Sequence, residues 1–335
     1  MAQFYRVVCA FCAAAIVVSV GGVAWGVVIE TVPVGNTGNI GELSGESAGG
    51  AGPNRVCGAV GYVYDIGKYE VTNTEYCEFL NAVDPTGTNP HDVYDSRMTD
   101  SNYGGINFNS GGTSGSKYEL KARMGNRPVN FVTFWDACRF ANWLHNGQGT
   151  GDTENGAYKL TDRDIAINAI TREVGAIWAV TNEDEWYKAA YHRNDGNTGN
   201  YWEYPTESDT PPVAENPPGT DPNGSANYGW YGVYGMTDVG AYTAKPSDSP
   251  YGTYDQAGSV YEWNEAIIDS SNRGIRGGSF YSITDSLTAA RRGSDDPDLG
   301  DSSVGFRVVY IPEPCSAALV GAGLLLLCRR RRKRA

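Results

Sequence analysis

The stretch that decides the fold is residues 276–307, which read RGGSFYSITDSLTAARRGSDDPDLGDSSVGFR. Its two ends, residues 277–280 and 304–308, are glycine-containing and apolar, and this pattern predicts strands. Between them runs a polar loop whose C-terminal half carries four aspartates, Asp295, Asp296, Asp298 and Asp301. Three of these lie in residues 295–298, which lack the ligand spacing of an EF-hand and predict a solvated turn instead.

The composition around this stretch is that of a folded, loop-rich chain. The 335 residues are enough for one large domain or two ordinary ones, and 41% of them are hydrophobic, including 22 Tyr and 8 Trp. The 43 glycines favour many turns and irregular loops over long helices. The formal charge of −13 makes nucleic-acid binding unfavourable, because an acidic surface repels phosphates. The same surface attracts cations or is simply solvated.

Both ends of the chain have the pattern of targeting segments. Arg6 precedes an apolar run over residues 7–20, and the small residues Ala24 and Gly26 fit a cleavage site that ends at Gly26. We therefore predict a signal peptide over residues 1–26 that is removed by signal peptidase. An uncleaved anchor is the alternative.

The C-terminal segment, residues 311–335, has three parts in order. Pro312, Glu313 and Pro314 come first, an apolar run over 315–328 follows, and a basic cluster closes the chain. The run is short for a stable membrane span but suits a transient anchor with a cytoplasmic basic stop. The order resembles the PEP-CTERM sorting signal of Gram-negative bacteria. That resemblance implies recognition by an exosortase and export to the cell surface or the extracellular matrix.

Residues 27–55 are expected to extend along the domain as a strand and a loose loop, and residues 56–310 form the domain itself. A strand is predicted within residues 61–69. Three helices are predicted to begin at capping boxes, in which a hydroxyl and a carboxylate satisfy free backbone amides reciprocally; their caps are Thr72, Thr133 and Thr181. Outside the targeting segments the cysteines are Cys57, Cys77 and Cys138, which allow one intramolecular disulfide at most.

Five blocks of the domain, in order, resemble the formylglycine-generating enzyme family, also called sulfatase-modifying factors. This resemblance implies an α+β fold, the family's variant of the C-type-lectin-like fold, with few short helices, small twisted sheets and much ordered loop. The blocks are Val71-Thr72-Asn73, Arg127-Pro128-Val129-Asn130 with the helix start after it, residues 181–186, residues 254–263 and residues 276–307.

The family's oxidases bind copper through two thiolates and convert a sulfatase cysteine to formylglycine. By resemblance, the first thiolate is expected at Ser282 and the second, five residues later, at Leu287 in a shortened loop. Neither side chain is a useful ligand for Cu(I), which prefers soft sulfur donors. The three histidines are scattered, so no copper or iron is expected. Whether the chain is an enzyme stays open, with non-catalytic function favoured.

Calcium is the cofactor that the resemblance implies. The family's structural Ca²⁺ loop maps onto the side chains of Asp255 and Glu262 and the backbone carbonyls of Gly258 and Val260. Hard oxygen donors of this kind suit Ca²⁺. The alternative is a tight turn in which Glu262 forms a salt bridge.

A second candidate site involves Ser279, Arg276 and Arg291. Ser279 matches a serine of the family's active site, and the arginines either bind an anionic ligand or pair with carboxylates of the chain. Two functions follow. The first is a non-catalytic module that presents Tyr, Trp, Asn and Asp side chains to a glycan or a protein. The alternative is a formylglycine-generating-type oxidoreductase, or another enzyme, with relocated active-site residues.

Overall fold

A computed structural model describes residues 26–99, 102–230, 235–243 and 247–312. The predicted leader before Gly26, and Glu313 and Pro314 of the predicted sorting signal, lie outside the described residues. The model has few short helices and small sheets joined by long ordered loops, which confirms the predicted α+β class. The helices are α1 (Asn73–Val83), α2 (Phe134–His145), α3 (Asp162–Ala166) and α4 (Glu183–Tyr191).

Two four-stranded sheets carry most of the strands, with the orders β1-β4-β14-β7 and β12-β11-β10-β13. The remaining strands form two-stranded pairs. The strands are β1 (Thr31–Val34), β2 (Glu42–Ser44), β3 (Arg55–Cys57), β4 (Tyr64–Gly67), β5 (Ile106–Phe108), β6 (Tyr118–Leu120), β7 (Trp178–Val180), β8 (Val213–Ala214), β9 (Ser225–Ala226), β10 (Tyr261–Ile267), β11 (Arg273–Arg276), β12 (Gly293–Asp295), β13 (Val304–Phe306) and β14 (Val308–Tyr310).

The decisive stretch forms much of the second sheet. Its C-terminal strand prediction is confirmed by β13 and β14, but the strand predicted over 277–280 is wrong, because β11 ends at Arg276. Gly277 and Gly278 have φ of +95° and +76°, a left-handed conformation that breaks an extended strand. The chain after them turns sharply instead of continuing along the sheet.

The capping boxes predicted for α1 and α2 are confirmed at Thr72 and Thr133. The third helix begins one residue later than predicted, with Asn182 as the N-cap and Glu185 as its reciprocal partner. Thr181 still belongs to the strand pairing, since its carbonyl accepts from the Glu265 amide. The short helix α3 was not predicted from the sequence.

The core is an aromatic cluster in which α1 and α2 meet the second sheet. The Phe79 and Phe140 rings lie edge to face at 5.5 Å, and Phe306 of β13 packs against Phe140 at the same distance. Such edge-to-face pairs stabilise beyond the area that they bury. The sheet that carries the decisive stretch is thereby fixed to the helical layer.

The segment 27–55 packs against the rest of the domain. Strand β1 pairs antiparallel with β4, and β2 pairs with β3. The three cysteines in the described residues, Cys57, Cys77 and Cys138, are buried free thiols. Across the described ranges, no helix is long and apolar enough to cross a membrane.

Candidate functional site

Ser282 and Leu287, the two positions at which the family resemblance predicts thiolates, converge on Gly278. A Cβ atom built on Gly278 would lie 3.4 Å from Cβ of Ser282 and 2.7 Å from Cδ2 of Leu287. Glycine is therefore required here both by its positive φ and by close packing. The fold thus brings the two positions to one place.

At this place Leu287 is a core residue. Its side chain is fully buried in an apolar cluster with Tyr204, Ala226, Tyr228 and Ala257. Its backbone carbonyl accepts a hydrogen bond of 3.0 Å from the Tyr191 hydroxyl. A side chain that fills an apolar pocket without a donor atom has no means to bind a metal. At the position where the resemblance predicts a thiolate, the structure therefore has an apolar side chain packed in the core.

Ser279 and Ser282 form a closed hydrogen-bonded turn. The Ser279 amide donates to Oγ of Ser282 at 2.9 Å, and the two hydroxyl oxygens lie 3.0 Å apart. Ser279 is fully buried and Ser282 is 7% exposed. The Ser282 carbonyl in turn accepts from the Gly229 amide. These contacts are those of a structural turn.

The thiols lie away from this turn and are poor nucleophiles. Burial raises the pKa of Cys77 to about 12 and also raises the pKa values of Cys57 and Cys138. They belong to three different elements, β3, α1 and α2. In the part of the chain that the structure describes, no three His, Cys, Asp or Glu side chains are arranged to hold one metal ion.

The surface over the serine turn is aromatic. We call Trp230, Tyr281 and Ile283 the aromatic patch; they are 51%, 38% and 68% exposed. The Trp230 and Tyr281 rings stack with centroids 5.7 Å apart and an angle of 22° between their planes. Both rings rest on the buried ring of Phe280, at 5.7 and 4.9 Å. The patch is therefore a rigid platform on the core.

Two features fix the rings of the patch. The Tyr281 hydroxyl donates to Oγ of Ser303 at 2.6 Å and contacts Asp301 at 3.2 Å. Trp230 has φ of +60°, a conformation that costs a non-glycine residue about 1–2 kcal/mol. Strained backbone conformations cluster at ligand-binding sites, so a strained, exposed tryptophan makes this surface a candidate binding site. No local sequence pattern marks Trp230 as part of a site.

Arg276 and Arg291 occupy different environments. Arg276 is 1% exposed, and its guanidinium donates to Oε1 of Glu183 at 2.8 and 3.0 Å and to the carbonyl of Arg291 at 2.8 Å. These contacts match the ion-pair alternative for Arg276. Arg291 is partly exposed, and its buried Nε has no hydrogen-bond partner among the described residues.

The calcium candidates Asp255, Gly258, Val260 and Glu262 lie in a buried loop that leads into β10. Oδ2 of Asp255 accepts from the Gly240 amide. Burial raises the pKa of Asp255 to about 6, and the charge of Glu262 adds to the rise. Val260 and Glu262 are fully buried or nearly so, and Gly258 has φ of +84°.

The guanidinium of Arg307 donates to both carboxylate oxygens of Glu262, at 2.5 and 2.6 Å. Nε1 of Trp186 donates to one of these oxygens at 2.7 Å. Glu70 is also buried here, with Oε2 3.8 Å from the same arginine and no hydrogen-bond partner for either oxygen. Burial, and then the charge of Asp255, raise the pKa of Glu70 well above its usual range. Two buried carboxylates, Glu70 and Glu262, thus face one arginine.

Comparison with known proteins places these features in a family. The family model described as the sulfatase-modifying factor enzyme 1-like domain matches residues 36–311. A search of curated proteins found no match.

Three solved structures are similar in outline. Treponema denticola variable protein 1 is 18% identical with a TM-score of 0.48, covering 84% of this chain and 95% of its own. CarF is 20% identical with a TM-score of 0.47, covering 85% and 100%. PvdO from Pseudomonas aeruginosa is 17% identical with a TM-score of 0.46, covering 84% and 91%. On the family match, this chain belongs to the family that carries the sulfatase-modifying factor enzyme 1-like domain.

Proposed function

We propose that this chain is an exported, non-catalytic binding module of the cell surface or matrix. The observation that carries the proposal is Leu287, which fills an apolar pocket beside Gly278 where the family resemblance expects a thiolate. Ser282, the other expected position, has its hydroxyl bound within the serine turn. Without a thiolate pair, the soft ligand set that Cu(I) needs is missing at this place.

The ligand surface that we propose is the aromatic patch, and the ligand class is a neutral glycan. Sugar rings present apolar C–H faces that pack on aromatic rings, and a rigid tryptophan provides this contact at low entropic cost. The chain's charge of −13 disfavours polyanionic ligands. A protein ligand remains the alternative that the test separates.

The proposal is tested by binding of the exported protein to the polysaccharide of its own cell surface, measured by calorimetry. Trp230→Ala is expected to weaken binding about tenfold or more, because losing one buried aromatic contact costs about 2 kcal/mol. Phe108→Ala is the matched control: Phe108 is 39% exposed but lies on β5, in another sheet. Equal loss in both variants, or binding only to a protein of the surface, would reject the glycan assignment.

We also propose calcium at the loop of Asp255 and Glu262. The support is the donor set: Glu262 is a buried carboxylate, Asp255 is a half-buried carboxylate whose charge interacts with it, and Arg307 forms an ion pair with Glu262. An oxygen-rich, negatively charged loop fits a hard cation, held by Asp255, Glu262 and the carbonyls of Gly258 and Val260. The ion would supply structural cross-linking of the loop.

Elemental analysis of the purified protein tests this proposal, with the expected result of one calcium per chain and a lower melting temperature after chelation. Asp255→Asn should reduce the calcium content, whereas Asp248→Asn, an aspartate on a neighbouring loop, should not. If the protein contains no calcium and chelation leaves its melting temperature unchanged, the calcium proposal is rejected. The raised pKa values of Glu70 and Asp255 would then mean that bound protons neutralise these carboxylates.

A further inference from the structure

A groove beside α1 holds the first described residues of the chain. It is lined by Gly26, Val27, Glu78, Asn81, Trp143 and Gln148. Glu78 and Asn81 lie on α1, Trp143 lies on α2, and Gln148 belongs to the loop that follows α2. The groove is separate from both the aromatic patch and the calcium loop.

The loop that carries Gln148 is strained. Gly147, Gln148 and Gly149 have φ of +80°, +68° and +74°, so Gln148 adopts a left-handed conformation that only glycine takes without cost. Two hydrogen bonds hold the loop on α2: the Gln148 amide donates to the Trp143 carbonyl, and Nε1 of Trp143 donates to the Gly149 carbonyl, both at 2.8 Å. This loop conformation places the Gln148 side chain against Val27.

Only one of the two polar groups of the Gln148 side-chain amide is hydrogen-bonded. Its Nε2 donates to the carbonyl of Val27 at 2.9 Å, whereas its Oε1 is buried and has no hydrogen-bond partner among the residues that the structure describes. An acceptor left buried and unpaired costs about 1–3 kcal/mol. A Cβ atom on Gly26 would lie 2.3 Å from this oxygen, so Gly26 packs directly on the unpaired acceptor.

We propose that the groove is a seat for the α-ammonium group of a chain that begins at Val27. Hydrolysis of the bond between Gly26 and Val27 adds the hydroxyl of water to the Gly26 carbonyl, which leaves as a carboxylate, and the protons complete an ammonium on Val27. That ammonium has three donors and no acceptor, so it complements the unpaired Oε1 of Gln148 and the carboxylate of Glu78.

The ammonium site in the groove requires cleavage of the predicted leader but does not require a ligand on the aromatic patch. The ammonium proposal and the glycan proposal can therefore fail independently. Gly26 has two roles in the precursor. A small residue at this place suits signal peptidase, and the absence of a side chain avoids Oε1 of Gln148 before cleavage. After cleavage Gly26 is gone, and the new chain end lies next to the acceptor.

The full chain, exported in a Gram-negative host, provides the test, with its precursor collected under a signal-peptidase inhibitor. Intact mass is expected to show a chain that begins at Val27. The processed form should melt about 1–3 °C above the precursor. Gln148→Met should abolish that difference, whereas Thr150→Met, a change at an exposed residue of the same loop, should keep it.

Gly26→Ala gives an independent measurement, because it preserves a small residue for the peptidase. It should lower the melting temperature of the precursor only, since the processed chain no longer contains residue 26. Cleavage at another bond, an equal effect of Gly26→Ala on both forms, or an unchanged difference in Gln148→Met would each overturn the proposal.

Discussion

Glu183 shows how single buried charges hold this fold. Its carboxylate accepts from Arg276 and Arg292 at 2.8 and 2.7 Å, and Arg55 lies 3.3 Å away. Burial alone would raise the pKa of Glu183, but the three arginines outweigh it and lower the pKa to about 2. The charged form of this carboxylate is therefore the stabilised one.

This shift predicts a pH dependence of stability. Because the folded pKa of about 2 lies below the ordinary glutamate pKa of 4.5, the stabilisation is present above pH 4.5 and is lost as the pH falls toward 2. The loss amounts to about 3 kcal/mol, at 1.36 kcal/mol per pKa unit. Urea unfolding between pH 5 and pH 2 measures it.

Glu183→Gln is expected to lower the unfolding free energy at pH 7 and to flatten its fall between pH 5 and pH 2. The matched control is Glu46→Gln, a change at an exposed glutamate, which should keep the wild-type slope. If the unfolding free energy of Glu183→Gln falls between pH 5 and pH 2 as steeply as that of the wild type, Glu183 is not the source of the pH dependence.

The sequence did not reveal this cluster, although it supplied all of its members. Arg276 was left as either an ion-pair residue or an anion ligand, because its partner Glu183 lies 93 positions away. Pairing across that separation is decided by how β11 and α4 pack, and no local pattern encodes it. Trp230 was missed for the same reason, since its exposure depends on the turn of residues 279–282.

At the scale of elements, a local capping signal predicts where a helix begins when no tertiary contact competes for the same backbone groups. The capping boxes at Thr72 and Thr133 gave the starts of α1 and α2. At α4 the backbone of the predicted cap, Thr181, accepts a hydrogen bond from Glu265, and the next residue, Asn182, caps the helix instead. Similarly, Gly277 and Gly278 ended β11 where apolar composition had predicted a strand.

This assignment yields a prediction for α4. Asn182→Ala should lower the unfolding free energy by about 1 kcal/mol, because it removes the side-chain acceptor of the Glu185 amide. Thr181→Val should be neutral or stabilising, because the Thr181 hydroxyl is buried without a hydrogen-bond partner. Chemical denaturation of the two variants measures both values. The reverse ranking would restore Thr181 as the cap.

At the scale of the whole molecule, the ordered blocks of the sequence were enough to predict the family and the α+β fold, because they carry both the core and its sharp turns. Phe306 and Gly278 illustrate this, one filling the aromatic core and the other allowing close packing of Leu287. Function is less accessible from the sequence, because the packing of Leu287 beside Gly278 depends on residues far apart in the chain. The exposed Pro312 follows the last strand, where the predicted sorting segment begins.

The most direct test of the central claim is a turnover assay. The reduced, copper-loaded exported protein is incubated in air with a sulfatase-type cysteine peptide, and the peptide is analysed by mass spectrometry. The account predicts an unchanged peptide, because Leu287 and Ser282 provide no thiolate pair. Copper-dependent formation of formylglycine would contradict it and would identify an oxidase with relocated ligands.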